Sequence, residues 1–241
     1  MPEDPLKERP MWGVIGGLGP RASAEFLRTI YDLATGTEQD APAVILVSDP
    51  SFPDRTDLLL KGCEVELLKQ LCDVLEKVSV FGVTRIVICC VTIHHLLPKL
   101  PIYFRSRIVS LLDVIFAAVQ HDDRRHLLLC TRGSRQLGLF TNHPLWEEVR
   151  DQIVLLTDEE QETIHKLIYR LKNGGDSVDA IQPLTELARQ YEIQSIIAGC
   201  TEGHIIARRG SAVQGLPTLD WIDPLTIVAK EMVSRQRHGT R

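Results

Sequence analysis

The sequence predicts an α/β protein of two pseudo-symmetric, Rossmann-like lobes, each a mainly parallel sheet flanked by helices, with the functional site in the cleft between them. Three observations carry this. Short apolar runs alternate with amphipathic stretches along the chain, a pattern that builds parallel sheets covered on both faces. Each half holds an apolar run followed by Cys-x-x-x-His, in "RIVICCVTIHHLL" (85–97) and in "SIIAGCTEGHII" (195–206). With 44% hydrophobic residues over 241 positions, the chain can bury a substantial core without staples.

Taken in order, Trp12 to Gly16 reads as a short buried strand, and Ala22 to Leu33 as a helix with apolar residues at 22, 26, 30 and 33. Ala43 to Ser48 is β-branched and apolar enough for a strand. Leu58 to Val78 keeps a helical apolar period throughout. Strand Arg85 to Cys89 and helix Leu111 to Gln120 follow, then strands His126 to Cys130 and Ile153 to Leu155. Asp158 to Lys172 and Val178 to Tyr191 read as helices, separated by "KNGGD" (172–176), which serves as a flexible break or a helix C-cap. Strands Ser195 to Ala198 and Thr218 to Leu219 complete the set. The division expected from this order is a first lobe of residues 1–107 plus 216–241 and a second of 108–215. Sites in such sheets collect at the carboxyl ends of the strands.

The formal net charge is −5 and the basic residues are scattered, so no stripe is available to neutralise phosphates and nucleic acid is not an expected partner. No apolar run approaches the roughly 20 residues of a membrane span. The N-terminus "MPEDPLKERPMW" is charged and proline-bearing, unlike a signal peptide. The expected location is therefore cytoplasmic. The six cysteines could form three disulfides, but a reducing compartment and a large core favour thiols, and no C-x-x-C pair signals zinc or redox chemistry.

"GVIGGLGPRASAEF" (13–26) follows a strand and opens a helix, so its glycines, Gly17 among them, permit a tight turn that directs N–H groups toward an anion. It lacks the G-x-G-x-x-G spacing of a dinucleotide site. Cys90 and Cys200 each stand where a buried strand ends and a helix can begin, a position that favours a thiolate through unpaired N–H groups and the helix dipole. Cys63, Cys72 and Cys130 read instead as small buried hydrophobes. His94 and His204, four residues after the two cysteines, permit a zinc set on paper, although the spacing suits helix-turn or supporting hydrogen-bond roles better. His95 has no counterpart and reads as peripheral.

Six segments, "VIGGLGPRAS", "DPSFPDRT", "CCVTIHHL", "LLLCTRGS", "YRLKNG" and "AGCTEGH", stand in the order seen in the aspartate/glutamate racemase family, and the chain resembles that family from about residue 11 to about residue 230. The resemblance implies a racemase that uses no pyridoxal phosphate. Cys90 and Cys200 would flank the substrate α-carbon, one removing its proton while the other delivers a proton to the opposite face. It further implies that Arg55 in "PDRT" and Lys172 in "RLKNG" hold carboxylates of a small dicarboxylic amino acid. Gly17, Thr92, Thr131, Ser134, Thr201 and Glu202 would supply further substrate contacts. Family members are commonly homodimers, which is the assembly the resemblance suggests.

The resemblance has departures. The family usually reads Cys-Asn-Thr where this chain has Cys90-Val91-Thr92, and Arg21 stands where an acidic residue is frequent. "GCTE", ending on Glu202, is similar to the aspartate branch more than to glutamate racemases. Aspartate is thus the expected substrate. Glutamate, a hydantoin or an unsaturated dicarboxylate on the same scaffold, or dicarboxylate binding without catalysis, are the alternatives that the Val91 departure leaves open.

Overall fold

The computed structural model describes residues 10–210 and 219–238. Two four-stranded parallel sheets form the frame: β1 (Trp12–Gly16), β2 (Val44–Ser48), β3 (Arg85–Ile88) and β4 (Ile108–Val109) in the first, β5 (His126–Leu129), β6 (Ile153–Val154), β7 (Ser195–Ala198) and β8 (Asp220–Ile222) in the second. Their spatial orders are β2-β1-β3-β4 and β6-β5-β7-β8. Adding four to each label of the first sheet yields the second, so the weak sequence repeat is a full repeat of topology. In each sheet the order reverses beside the first strand, the point at which parallel sheets open a crevice at their carboxyl ends.

The helices are α1 (Pro20–Leu33), α2 (Arg55–Leu60), α3 (Glu64–Ser79), α4 (Ile102–Arg105), α5 (Leu111–Gln120), α6 (Arg132–Gln136), α7 (Trp146–Val149), α8 (Asp158–Lys172), α9 (Ile181–Gln190), α10 (Glu202–Gly210) and α11 (Pro224–His238). A 3-10 turn, Thr92–Lys99, follows β3.

Burial explains why the strands read as unbroken apolar runs. Val14 and Val87 face one way into a central core, where they meet Leu128 and Ile197 of the other lobe. Their neighbours Ile15, Ile86 and Ile88 face the opposite way, against Leu67, Leu71 and Val74 of α3. In the second sheet Leu127, Leu129 and Ile196 pack outward on Ile164, Ile168 and Leu184. The inner strands alternate between the shared core and their own outer layer, and the polar pair they bury at one end, His126 of β5 and Ser195 of β7, is hydrogen-bonded internally, Nδ1 lying 2.8 Å from Oγ.

Several elements differ from expectation. The helix expected over 58–78 is two helices, because Gly62 adopts φ +73° and the chain reverses there, with Cys63 N bonding to Leu58 O at 2.9 Å. This leaves Cys63 exposed and Cys72 half-buried, not in the core. The two-residue β4 is too short to announce itself by periodicity, as are α6 and α7. The "KNGGD" segment is a helix terminus: Gly174 has φ +102°, and Gly175 N bonds back to Arg170 O at 2.9 Å. Of the strand expected over 218–219, Thr218 lies outside the described residues, and the strand begins at Asp220. The segment expected to complete the first lobe divides: β8 extends the second sheet beside β7, while α11 lies on α1 and α5. All six cysteines are free thiols. Among the described residues no helix is long and apolar enough to cross a membrane.

Candidate active site

β3 and β7 hold the same third place in their sheets, and each runs into a cysteine two residues past its end. The turns that follow also match. His94 N bonds to Val91 O at 2.9 Å and His204 N to Thr201 O at 3.1 Å, so a helical turn opens directly after each cysteine. Cys90 and Cys200 are 6% and 5% exposed. Cys89, one residue earlier, faces the central core, where burial pushes its thiol up; Cys130 is pushed up to about 12 in the same way.

The depressed thiol expected at a strand end does not occur at Cys200. Burial raises it well above its ordinary value, the Glu202 carboxylate raises it further, and Lys172 only partly opposes them. The thiol donates to Glu202 Oε2 at 2.8 Å. Glu202 is 2% exposed at the start of α10, and its other oxygen lies against Gly19, where an added Cβ would stand 2.3 Å from Oε1. The carboxylate therefore rests at the beginning of α1, where the helix dipole favours an anion. Gly17 has φ +87°, and a Cβ there would stand 2.2 Å from Asp49 O. Only glycine fits that turn.

Lys172, the last residue of α8, is the cation of the site. Burial works against its charge, yet Glu202, Cys200 and Cys90 together raise its proton affinity, so the ammonium persists. Its Nζ lies 4.6 Å from the centre of the Tyr169 ring one turn earlier. Tyr169 in turn donates to Asp54 Oδ2 at 2.6 Å, tying α8 of the second lobe to the N-cap of α2 in the first. Arg55, 7% exposed, spends its guanidinium on backbone: Nη1 donates to Phe52 O (3.2 Å) and Pro53 O (2.9 Å), and Nη2 to Leu18 O. Its Nε is buried without a partner among the described residues. Arg55 thus pins the loop before α2 to the loop after β1, and its charge helps hold the neighbouring Asp54 carboxyl below its ordinary value.

The hydroxyls expected near substrate form a closed group of their own. Thr92 Oγ1 lies 2.9 Å from Ser134 Oγ and 3.2 Å from Thr131 Oγ1, and those two are 3.0 Å apart. Thr201 Oγ1 donates to Cys89 O at 3.3 Å. Both sets cross between lobes, so they also fix the lobes against each other. Val91 is 1% exposed in the central core, among Val14, Leu128 and Ile197.

The histidines serve the frame. His94 Nδ1 donates to Cys90 O at 2.8 Å and its Nε2 accepts from Leu111 N at 3.0 Å, while burial lowers its pKa to about 4, so the ring is neutral. His204 Nδ1 lies 2.6 Å from Asp223 Oδ2 and Nε2 lies 3.0 Å from Thr29 Oγ1. Neither faces a shared metal position with the cysteines, and among the described residues no cluster is arranged to hold a metal ion. His95 is partly exposed beside Glu64. Tyr169 and Asp54 carried no assigned role in the sequence. The usable signal was spacing: Tyr169 shares a helix face with Lys172, and Asp54 precedes Arg55.

A family model described as Asp/Glu/Hydantoin racemase matches residues 15–232. The chain belongs to that family. It is accordingly an isomerase of the racemase type. Its fold is similar to that of Picrophilus torridus aspartate racemase (TM-score 0.79, 20% identity, covering 95% of this chain and 94% of that one). It is also similar to an aspartate racemase homologue from Pyrococcus horikoshii OT3 (TM-score 0.64, 17% identity, 95% and 99%). A glutamate racemase from Campylobacter jejuni subsp. jejuni shares it more distantly (TM-score 0.54, 16% identity, 93% and 85%). At these identities the likeness is one of fold.

Proposed function

We propose that this racemase interconverts the enantiomers of aspartate by a two-thiol proton exchange between Cys90 and Cys200. The observation that carries it is electrostatic: two buried thiols at equivalent strand ends both act on the half-buried ammonium of Lys172. Inversion at a carbon needs an acid and a base on opposite faces, and paired lobes are suited to supply one each. Cys200 rests as a thiol hydrogen-bonded to Glu202, so a turnover starting from this state uses Cys90 as thiolate base. The C–H electron pair passes to the substrate carboxylate as the proton moves to Cys90 sulfur. The Cys200 S–H bond then breaks toward the other face, which leaves Cys90 protonated and Cys200 as thiolate, ready for the reverse direction. Glu202 orients the Cys200 proton. Lys172 holds a carboxylate and stabilises the enediolate charge, which in a desolvated site contributes most to such catalysis. Arg55 offers a second positive charge for the other carboxylate. The proposal places the cycle in the cytoplasm, and in a homodimer as is common among family members.

The test incubates reduced protein with L-aspartate, and separately with L-glutamate, in D₂O. NMR follows α-deuterium and chiral chromatography follows the D-product. Exchange with inversion of aspartate supports the proposal, and Cys90→Ser or Cys200→Ser should lose about 10²-fold to 10⁴-fold, the usual weight of a general base. Folded, reduced protein that exchanges neither acid but turns over a hydantoin or an unsaturated dicarboxylate would overturn the substrate, leaving the scaffold chemistry.

A further inference from the structure

A concave site lies beside the candidate active site, at the junction of α1, α10 and the turn that ends α8. It encloses about 280 Å³, and its lining includes Arg21, Arg28 and Arg209 with Glu25, Ser177 and Gly175. We propose that this cleft binds a compact oxyanion, a phosphate or a small polycarboxylate. The inference does not rest on the reaction assigned above.

Charge is the first argument. Three guanidiniums face the cleft against one carboxylate, and Glu25 is shared, standing 4.0 Å from both Arg28 and Arg208. Asp32 lies farther along α1 and is taken by Arg208 at 2.6 Å and Arg28 at 3.6 Å. Arg21 and Arg209 form no ion pair among the described residues, and both are exposed. Planar forks left unpaired among the described residues, one on α1 and one on α10, suit the oxygens of phosphate or carboxylate.

The second argument is a buried hydroxyl. Ser177 is 1% exposed, and among the described residues its Oγ has no partner. It precedes a 3-10 turn (Val178–Ala180) that it could cap, but Asp176 Oδ1 already accepts from Val178 N at 3.1 Å. A buried donor left unpaired costs about 1 to 3 kcal/mol, so a hydroxyl lining a cationic cleft with no protein acceptor is accounted for by an anion that accepts from it. Arg21 reaches across to the turn that ends α8, its Nη2 lying 3.0 Å from where a Cβ on Gly174 would stand. Arg21 is also the residue standing where the family resemblance expects an acid, so the reversed charge gives this chain a cationic wall at that point.

The cleft shares its elements with the candidate active site. Leu171 lines the cleft and Lys172 follows it; Ile205 and Arg209 line it on the helix that begins with Glu202.

The experiment titrates inorganic phosphate into wild-type protein at fixed ionic strength, by calorimetry and ³¹P NMR, then repeats it on three variants. Arg21→Ser/Arg209→Ser should weaken binding at least about 10-fold, since each exposed fork contributes separately, with unchanged thermal stability. Ser177→Ala should weaken it less. Lys172→Met, which alters only the neighbouring site, should bind phosphate as the wild type does. Succinate that displaces phosphate would support the site and extend its class to carboxylates; succinate that does not would assign it to phosphate. Absence of saturable binding overturns the proposal. So does binding that survives Arg21→Ser/Arg209→Ser or is lost in Lys172→Met, because phosphate would then occupy the reaction site.

Discussion

Replacing Tyr169 by Phe removes a single oxygen from the contact that ties the lobes beside Lys172. That oxygen donates to Asp54 Oδ2 at 2.6 Å, a short bond to an ionised acceptor. Hydrogen bonds to charged groups contribute about 1.5–3 kcal/mol. The lower part of that range applies here, because Asp54 is only half-buried and keeps the bond from Asp57 N at 3.0 Å. The expected loss is therefore about 1–2 kcal/mol, read as a shift in the urea midpoint at constant slope. The acid limb supplies a second readout. Burial works to raise the Asp54 pKa, but the Tyr169 bond, the Asp57 N–H, Lys172 and Arg55 together lower it. A carboxylate depressed in the folded state contributes stability above its unfolded pKa and loses it as pH falls through the folded value. Tyr169→Phe should thus flatten the decline of stability below about pH 4 as well as lower the plateau. The ring remains, so Lys172 keeps its aromatic support. Tyr169→Leu should add a rise in KM for a dicarboxylate. A Phe variant as stable as wild type, with an unchanged acid limb, would refute the assignment of this bond as a tie between the lobes.

Other outcomes follow from the same geometry. Gly19→Ala should fold normally, because its φ is extended and the clash is with the movable end of Glu202; displacing that carboxylate from Cys200 should cost at least about 10-fold in racemisation. Gly17→Ala meets backbone at a left-handed φ, so a loss beyond about 3 kcal/mol, or no soluble protein, is expected by denaturation. His94 is buried and neutral with a pKa of about 4. Its unfolded form takes up a proton below about 6.5, so stability should fall between those two values as pH drops, by on the order of 3 kcal/mol. His94→Gln should remove most of that pH dependence, which a pH series of melts would measure.

Most elements were legible because their apolar spacing is set by burial on two faces. β1, β7, α5 and α8 stand where the periodicity puts them, and the repeat first seen as two Cys-x-x-x-His units is the repeat of the sheets themselves. What escaped was α10 and α11, to which the reading along the chain assigned no helix, and the pieces that have no period. β4 has two residues, α6 five, and the break at Gly62 depends on one left-handed residue within an otherwise helical pattern. Likewise β8 carries no mark of which sheet it joins, since a short apolar strand pairs wherever the chain before it leads.

By itself the sequence determined the α/β class, the two-lobed repeat and the two cysteines at matching strand ends, because each is recorded in local spacing. The tertiary structure alone decided the state of the site. Cys200 is a raised thiol because the packed lobes bury it away from water and, second to that, because Glu202 folds back onto it. Arg55 is held by backbone carbonyls, Lys172 is kept charged by three groups from other segments, and the hydroxyls of Thr92, Thr131 and Ser134 bind one another across the lobes. Protonation and hydrogen bonding depend on distance and dielectric between segments far apart in the chain, and those are fixed only when the sheets pack.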